Sequence, residues 1–166
     1  MVILELGPAI SAGDTTEVTV RARGPLRTSA YPGFAPRLLA AMPTLSDHTC
    51  DNGADRPVGD ELSDTELPHA VEHVALDLLR SAGVRGTVRG ATRWDFDADG
   101  PGVFRVAISG AGEAPARAAL VAAAELVDRL ANGAGPGDVN VLVARVRAAR
   151  TTDRPAPTPR PARRRY

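Results

Sequence analysis

Two of the three histidines in this chain stand four residues apart, and a glutamate directly precedes the second of them. These residues are His69, Glu72 and His73, in the stretch LPHAVEHVALDLL. On an α-helix, residues four apart share a face, so both imidazoles can be directed at one metal ion. A glutamate beside that ion can accept a proton from water, as in zinc enzymes with the pattern H-x-x-E-H. The same spacing also occurs by chance on the solvated side of an amphipathic helix, and both interpretations stay open on the pattern alone.

A zinc site of this kind needs a third protein ligand, because two histidines alone bind zinc weakly. The upstream segment SDHTCD offers these candidates: Asp47, His48, Cys50 and Asp51. Cys50 is the best of them because thiolate is a strong zinc ligand, although a lone cysteine is often only a small buried apolar residue. Three protein ligands leave one position of the ion for water, the arrangement of a catalytic zinc. The sequence therefore predicts a Zn²⁺ site with Cys50, His69 and His73 as ligands and, beside it, Glu72 as the catalytic residue.

The helix that must carry the two histidines is predicted over residues 65–82. At 100° per residue its apolar side chains form one stripe, made of Leu67, Val71, Val74, Ala75 and Leu78. His69, Glu72 and His73 fall on the opposite side, so we expect them to face solvent, a loop or a bound ion. Asp64 or Thr65 is expected to cap the first turn, and Gly83 to end the helix.

The remaining elements follow from the spacing of apolar residues. Strands are predicted over residues 2–6, 17–22, 86–93 and 103–109, and the first two are expected to pair antiparallel across a turn. Helices are predicted over residues 34–42, 65–82, 114–130 and 139–149. The order ββααββαα favours an α+β fold, a mostly antiparallel four-stranded sheet with helices on one face. Residues 43–64 are rich in Asp, Gly and Pro, and we expect them to form a long functional loop.

The composition is that of a soluble globular protein. The 166 residues fit one domain, predicted over residues 1–149, followed by a disordered Pro/Arg-rich tail over 150–166. A formal net charge of zero provides no general attraction for nucleic acid, and no apolar stretch is long enough to span a membrane. The single cysteine excludes an intramolecular disulfide, and the N-terminus does not have the pattern of a signal peptide. A cytoplasmic protein is therefore expected.

Three further segments extend the comparison beyond the motif itself: PGFAPRLLAAMPTLSDHTCDNG, LPHAVEHVALDLLRSAGV and GATRWDFDADGPGVFRVAIS. Together they resemble the N-terminal domain of cyanophycin synthetase. That domain shows, in this order, a helix ending in a leucine-rich LP-L--H-C segment, an H-VEHVALEL helix, and a TR strand that a PG turn joins to a V-Y/F-V strand. The resemblance runs from about residue 25 to about residue 130, and VEHVALDL is its most specific part.

The resemblance implies a small α+β domain, which in full synthetases precedes an ATP-grasp domain and a Mur-ligase-like domain. In some members the domain looks like a metallopeptidase that cuts the Asp–Arg polymer cyanophycin into shorter primers. Matched residue by residue, the zinc ligands of the family fall on Cys50, His69 and His73, and its catalytic glutamate falls on Glu72. The resemblance thus implies a Zn²⁺ cofactor and a peptide or Asp–Arg polymer as substrate.

The chain also departs from the family pattern. It has no GxxGK[ST] loop, so we do not expect it to polymerise. The segment DNGADRPVGDELSDTELPH is acidic and lacks the GGF and W-GH residues usual in the family, which leaves its substrate contacts open. The leading hypothesis is a zinc-dependent peptide hydrolase acting on cyanophycin-like or Arg-rich peptides. The alternative is a non-catalytic binding or assembly module that works in trans with a separate cyanophycin-synthetase-like or Mur-type ligase.

Two other features are weighed against simpler interpretations. The segment DFDADG, Asp95 to Gly100, matches the start of a calcium loop, but its twelfth position is Val106 instead of Glu. We therefore predict a polar hairpin turn there. Arg93 falls on the TR of the family and is a candidate for substrate binding, with an ordinary surface arginine as the alternative.

Overall fold

The structure is a computed structural model that describes residues 1–50 and 56–152. Two predictions fall outside these residues: the candidate ligand Asp51 and the tail from residue 153 onward. Within the described residues, none of the helices combines the length and the apolar character that a membrane span requires.

The strands form one antiparallel sheet with the order β1-β3-β5-β4, and β2 also pairs with β3. Their bounds are β1 Leu4–Leu6, β2 Ile10–Ala12, β3 Thr15–Ala22, β4 Arg89–Trp94 and β5 Val103–Ser109. The helices are α1 Phe34–Ala41, α2 Val58–Glu61, α3 Leu67–Ser81, α4 Phe96–Asp99, α5 Glu113–Ala131 and α6 Val139–Thr152. Short 3₁₀ helices lie at Thr28–Ala30 and Pro43–Asp47. The predicted α+β fold is confirmed.

The sheet has five strands, where the sequence predicted four, because residues 10–12, which the sequence assigned to the turn between the first two strands, form the additional strand β2. Both β1 and β2 lie on the same edge of β3. Between the pairs Leu6–Val20 and Ile10–Glu17, this edge advances four residues while β3 advances three. Pro8 lies in this interval, and proline has no N–H to donate to a sheet ladder. The interval therefore holds a bulge, and the chain resumes pairing only at β2.

The hydrophobic core lies between one face of the sheet and the helices α3 and α5. Alternate residues of the two central strands are buried on this inner face: Thr16, Val18 and Val20 on β3, and Phe104, Val106 and Ile108 on β5. Because side chains alternate along a strand, the residues between them lie on the outer face. The helices α3 and α5 contact each other, and α1 and α6 pack against α5. The core side chains are thus held between the sheet and a helical layer.

The helix α3 begins and ends close to the predicted positions, but its first turn is built differently. Its N-cap residue is Glu66, and no side chain caps it, so the predicted caps Asp64 and Thr65 are wrong. At the other end Gly83 has φ +83° and its N–H donates to Arg80 O, while the N–H of Val84 donates to Leu79 O. This pair of hydrogen bonds with a left-handed glycine is the Schellman motif, so the predicted role of Gly83 is confirmed.

Candidate metal centre

The polar stripe of α3 is largely buried. His69, His73 and Asp77 follow one another at intervals of four residues and therefore share a face of the helix. Of the polar residues on this side, Glu72 is 7% exposed, His73 4% and Asp77 2%, and only His69 is half-buried. They do lie away from the apolar stripe, as predicted, but they do not face solvent. The strand β4 and the segment 48–50 cover them.

The segment 48–50 brings two side chains to this stripe. The hydrogen bonds Cys50 N–Arg56 O (3.3 Å) and Val58 N–His48 O (2.9 Å) hold it extended against residues 56–58. In an extended segment, residues two apart point to the same side. His48 and Cys50 therefore both reach α3, the first next to Asp77 and the second next to His69.

Three potential metal ligands converge at one point. His69 Nε2 lies 3.1 Å from His73 Nε2 and 3.3 Å from Cys50 Sγ, and the three ligand atoms lie within 4.8 Å of one another. Two nitrogens about 2.0–2.1 Å from one tetrahedral zinc lie about 3.3 Å apart, and a sulfur about 2.3 Å from it lies about 3.5 Å from each nitrogen. The distances from His69 Nε2 are therefore close to those of a zinc site.

The hydrogen-bonding chemistry of the cluster also fits a cation. His69 Nε2 faces both a thiol and a second imidazole nitrogen. One proton on His69 Nε2 cannot serve both contacts, whereas a metal ion can accept lone pairs from all three groups. His69 Nδ1 lies 2.8 Å from the hydroxyl of Thr65, and this contact orients the ring so that Nε2 points into the cluster.

The second histidine is kept neutral by its surroundings. Burial, together with the smaller effects of the neighbouring His69 and His48, lowers the pKa of His73 to about 3. A neutral imidazole is the form that binds a metal. Its Nδ1 is buried and has no hydrogen-bond partner among the described residues. The Nε2 atom, by contrast, faces the cluster.

Glu72 lies beside the cluster under the strand β4. The hydroxyl of Thr92 donates a hydrogen bond to its Oε2 (2.6 Å), and a Cβ built on Gly90 would lie 2.5 Å from its Oε1. Only glycine leaves room for the carboxylate at this point of the strand. Burial raises the pKa of Glu72 above its usual range, and the hydrogen bond from Thr92 opposes that shift. The result is a desolvated carboxylate of increased basicity.

A polar cleft of about 400 Å³ opens on the His73 side of the cluster. His48, His73 and Arg80 contribute to its wall, together with Asp47 and the residues 86–88 that lead into β4. A larger cavity of about 730 Å³ lies elsewhere, between the C-terminal end of α3 and α6. Two arginines on its wall, Arg147 and Arg150, donate to carbonyls at the end of α3. The smaller cleft, unlike the larger one, reaches a residue of the cluster.

The comparison with known families agrees with this geometry. A family model described as Cyanophycin synthase-like N-terminal domain matches residues 17–132, which is more than half of the chain. The chain belongs to this family. The matched segment contains every residue of the cluster, together with Glu72, most of β3 and the strands β4 and β5. No curated protein matches the chain.

Of the residues singled out in the sequence, the structure brings together Cys50, His69 and His73, while Glu72 lies next to His73 along α3 and contacts Thr92. Another candidate ligand, His48, lies outside this group. Its Nε2 is 3.2 Å from Asp77 Oδ1, without hydrogen-bond geometry, and its ring lies 5.9 Å from that of His73.

The structure does not bring Arg93 to the cluster. Its side chain lies on the outer face of the sheet, where it is 68% exposed and contacts Glu17 at 3.1 Å. Neighbouring residues on a strand point to opposite faces, so Arg93 faces away from the side on which Thr92 contacts Glu72.

The segment Asp95 to Gly100 connects β4 and β5 and forms the predicted polar turn. Asp95 Oδ1 accepts hydrogen bonds from the backbone N–H groups of Asp97 and Ala98. Asp99 is bound by both branches of Arg105, each at 2.7 Å. The carboxylate of Asp95 thus stabilises the turn, and that of Asp99 binds Arg105 on the outer face of the sheet.

Sequence reasoning missed four residues around the cluster: Thr65, Asp77, Gly90 and Thr92. The position of Asp77, four residues after His73, was a usable signal, because the same spacing had linked the two histidines. Thr92 and Gly90 gave no such signal. They meet Glu72 only because β4 crosses α3, a contact between residues about twenty positions apart.

Proposed function

We propose that this protein is a zinc-dependent peptide hydrolase that acts on cyanophycin-like Asp–Arg polymers or Arg-rich peptides. The observation that carries the proposal is the convergence of Cys50 Sγ, His69 Nε2 and His73 Nε2 beside a buried glutamate. Family membership supports the same conclusion, because the resemblance noted in the sequence implies these ligands.

The residues fit zinc in number, type and spacing. One thiolate and two neutral imidazoles are a familiar zinc donor set, and three protein ligands leave one position open for chemistry. When bound there, Zn²⁺ supplies a Lewis acid that lowers the pKa of water and polarises a carbonyl group. The low pKa of His73 supports this assignment, since the ring needs no deprotonation before it binds the ion.

Glu72 is the proposed general base. The hydrogen bond from Thr92 engages Oε2 and fixes the carboxylate, so that Oε1 remains to accept a proton. Burial raises the pKa of Glu72 and so makes the carboxylate a stronger base at neutral pH than an exposed one. Having taken a proton from the attacking water, the same carboxyl group can donate it to the leaving amine.

The proposed preference for arginine-bearing substrates is consistent with the surface beside His69. Carboxylates line this surface on the side away from the polar cleft: Asp60, Glu61, Asp64 and Glu66. Two of them, Asp64 and Glu66, are engaged by Arg27, so the surface already accommodates a guanidinium group. A substrate arginine finds the same chemistry there.

Metal content and hydrolysis test the proposal together. Purified full-length protein is expected to hold about one zinc per molecule, measured by mass spectrometry of the metal, and to release fragments from an Asp–Arg polymer. The variant Glu72→Gln is expected to keep zinc and to lose hydrolysis by about 10²–10⁴-fold, the usual contribution of a general base. Glu113→Gln is the matched control, because Glu113 is exposed at the start of α5 and pairs with Arg117 of the same helix.

The outcomes separate the two functions that the sequence left open. Protein that binds no stoichiometric zinc contradicts the hydrolase. Protein that binds zinc, but in which wild type and Glu72→Gln are equally inert on polymers and peptides, favours the non-catalytic module that works with a separate ligase.

A further inference from the structure

The strand β4 forms one edge of the sheet and lies directly above the proposed catalytic glutamate. It pairs with β5 on one side, and no described strand pairs with its other side. Four of its six residues are exposed and the other two, Gly90 and Thr92, are half-buried. An edge of this kind carries unpaired backbone N–H and C=O groups that an extended peptide can bind.

The hydrogen bonds of the central strands show which residues of β4 point their backbone N–H and C=O groups to the free edge. On the β3 side of β5, Gly110 N donates to Asp14 O and Gly102 O accepts from Ala22 N. Backbone N–H and C=O groups alternate in direction along an antiparallel strand. Those of the even-numbered residues of β5 therefore point to β3, and those of the odd-numbered residues point to β4. The partners of these odd-numbered residues on β4 are Arg89, Ala91 and Arg93.

On β4, the backbone N–H and C=O groups that point to the free edge are consequently those of Gly90, Thr92 and Trp94. The first two are the residues that contact Glu72, one through its missing Cβ and the other through its hydroxyl. A peptide backbone paired with them runs next to the catalytic carboxylate. The open edge and the catalytic position therefore coincide.

Each end of this edge has a further surface for a bound chain. At its start, residues 86–88 line the polar cleft together with His73 and Arg80. At its end, Trp94 is 55% exposed and packs edge-on against Phe104, with 5.6 Å between the ring centroids. A chain along β4 thus passes from the cleft, over Glu72, to an exposed aromatic ring.

The charge of the edge favours a peptide with alternating side chains. Arg89 and Arg93 are exposed on the outer face of β4, where Arg93 also contacts Glu17, and the cleft on the inner side carries Asp47 together with Arg80. In an extended peptide, alternate side chains point to opposite faces. Acidic side chains on the outer face would meet the two arginines.

We propose that the peptide substrate binds as an additional strand on the free edge of β4, with backbone hydrogen bonds to Gly90 and Thr92 and acidic side chains towards Arg89 and Arg93. This inference rests on the proposed function for the identity of the ligand as a substrate. The binding mode itself can be tested without turnover.

The test uses a decapeptide of alternating aspartate and arginine and the full-length Glu72→Gln variant, so that no cleavage interferes. Titration calorimetry measures the dissociation constant, and fluorescence reports the location because Trp94 is the only tryptophan of the chain. Two further peptides carry N-methyl groups on all aspartate amides or on all arginine amides. All amides of one residue type point to the same side of an extended strand.

Strand addition predicts that one methylated peptide binds at least about 10-fold more weakly than the parent, since several backbone hydrogen bonds are lost, while the other binds as well as the parent. Equal affinity of the two methylated peptides, or no binding of the parent peptide, would overturn the inference. Turnover by the wild type is scored separately. If only one methylated peptide loses affinity but the wild type shows no turnover, strand addition at β4 stands and the proposed hydrolase is contradicted. If the wild type turns over the substrate but the two methylated peptides bind equally, the hydrolase stands and strand addition is contradicted.

A protein variant locates the contact independently. Arg89→Ala is expected to weaken binding of the parent peptide several-fold through the loss of a charged contact. Arg21→Ala is the matched control, because Arg21 is an exposed arginine on β3, two strands away from the edge. An equal loss in both variants would show a general effect of charge and would contradict binding at β4.

Discussion

The helices α3 and α5 lie side by side under the same sheet, yet only α3 buries polar side chains. The buried residues of α5 are all apolar, mainly alanine and leucine. Those of α3 include Glu72, His73 and Asp77 among its apolar residues. Both helices have the same structural task of covering the sheet, so covering it does not require the polar residues of α3.

The partners of these polar residues explain how α3 can bury them. A buried polar group destabilises the fold unless it finds a hydrogen bond or an ion. Glu72 is bound by Thr92, Asp77 is bound by Thr44 and lies next to His48, and His73 faces His69. On α5 the comparable polar residue is Asp128, which accepts from the N–H groups of Ile3 and Leu4 and so tethers β1. The helix α5 thus uses Asp128 to hold a strand, whereas the polar residues of α3 assemble a cluster.

The largest expected effect separates the two helices by metal content. Cys50→Ala and His69→Ala are each expected to reduce bound zinc from about one per molecule to a small fraction, because two remaining ligands bind the ion weakly. Metal analysis of the purified proteins measures this. Val121→Ala, at an exposed position of α5, should leave the zinc content unchanged. Full zinc retention in both Cys50→Ala and His69→Ala would contradict the assignment of the zinc site to this cluster.

The next effect belongs to α5 and concerns stability. Leu120 is fully buried, and Leu120→Ala is expected to lower the free energy of unfolding by about 2–5 kcal/mol, the usual result of emptying a packed leucine site. Urea unfolding measures the loss. The folded fraction should still bind zinc as the wild type does. A loss of zinc affinity from folded Leu120→Ala protein would mean that α5 also shapes the cluster.

A smaller effect is expected at the contact between β4 and α3. The methyl group in Gly90→Ala would lie 2.5 Å from Glu72 Oε1 and must displace the carboxylate. Hydrolysis is expected to fall by about 10- to 100-fold, since small displacements of a catalytic group have effects of this size, while zinc is retained. Steady-state rates on the Asp–Arg polymer measure it. Gly135→Ala is the control, because no atom lies within 4 Å of a Cβ there and φ is not positive. Unchanged rates in Gly90→Ala would exclude Glu72 as the base.

The smallest effect, per unit of pH, concerns the protonation of His73 in metal-free protein. Its pKa is about 3 in the folded chain, against an ordinary value of 6.5, so the unfolded chain takes up the additional proton as the pH falls. Its stabilising contribution is therefore fully present above pH 6.5 and is lost as the pH falls towards 3. One proton changes the free energy of unfolding by at most about 1.4 kcal/mol per pH unit.

Urea unfolding between pH 7 and pH 5 tests this, because the range lies above the ordinary pKa of carboxyl groups. Glu72 acts in the opposite direction, since its raised pKa reduces stability as the pH rises through it. His73→Leu removes the titrating group and should flatten the dependence. If His73→Leu shows the same slope of unfolding free energy against pH as the wild type, the assignment of this pH dependence to His73 is contradicted.

Much of this arrangement could be read from the sequence because it depends on local rules. Apolar spacing located α3, and Gly83 located its end, since a left-handed glycine is the common C-terminal cap. The sequence also proposed Cys50, His69, His73 and Glu72, because their chemistry and spacing belong together. The additional strand β2 was missed because residues 10–12 were assigned to a turn, whereas they pair with β3 beyond the interruption at Pro8.

Other features could not be predicted because they join residues that are far apart in sequence. The burial of Glu72 depends on where β4 crosses α3. The position of Arg93 on the outer face depends on the strand register, and a shift of one residue would reverse it.

The sequence by itself determined the longer helices and strands, the helical spacing of His69, Glu72 and His73, and the family to which the chain belongs. These follow from periodicity and residue chemistry, which act over a few positions. Only the tertiary structure decided that Cys50 meets the histidines, that the polar side of α3 is buried, and that β4 leaves an open edge above Glu72. Those outcomes depend on the packing of a sheet against a helix, and local sequence does not encode the register of that packing.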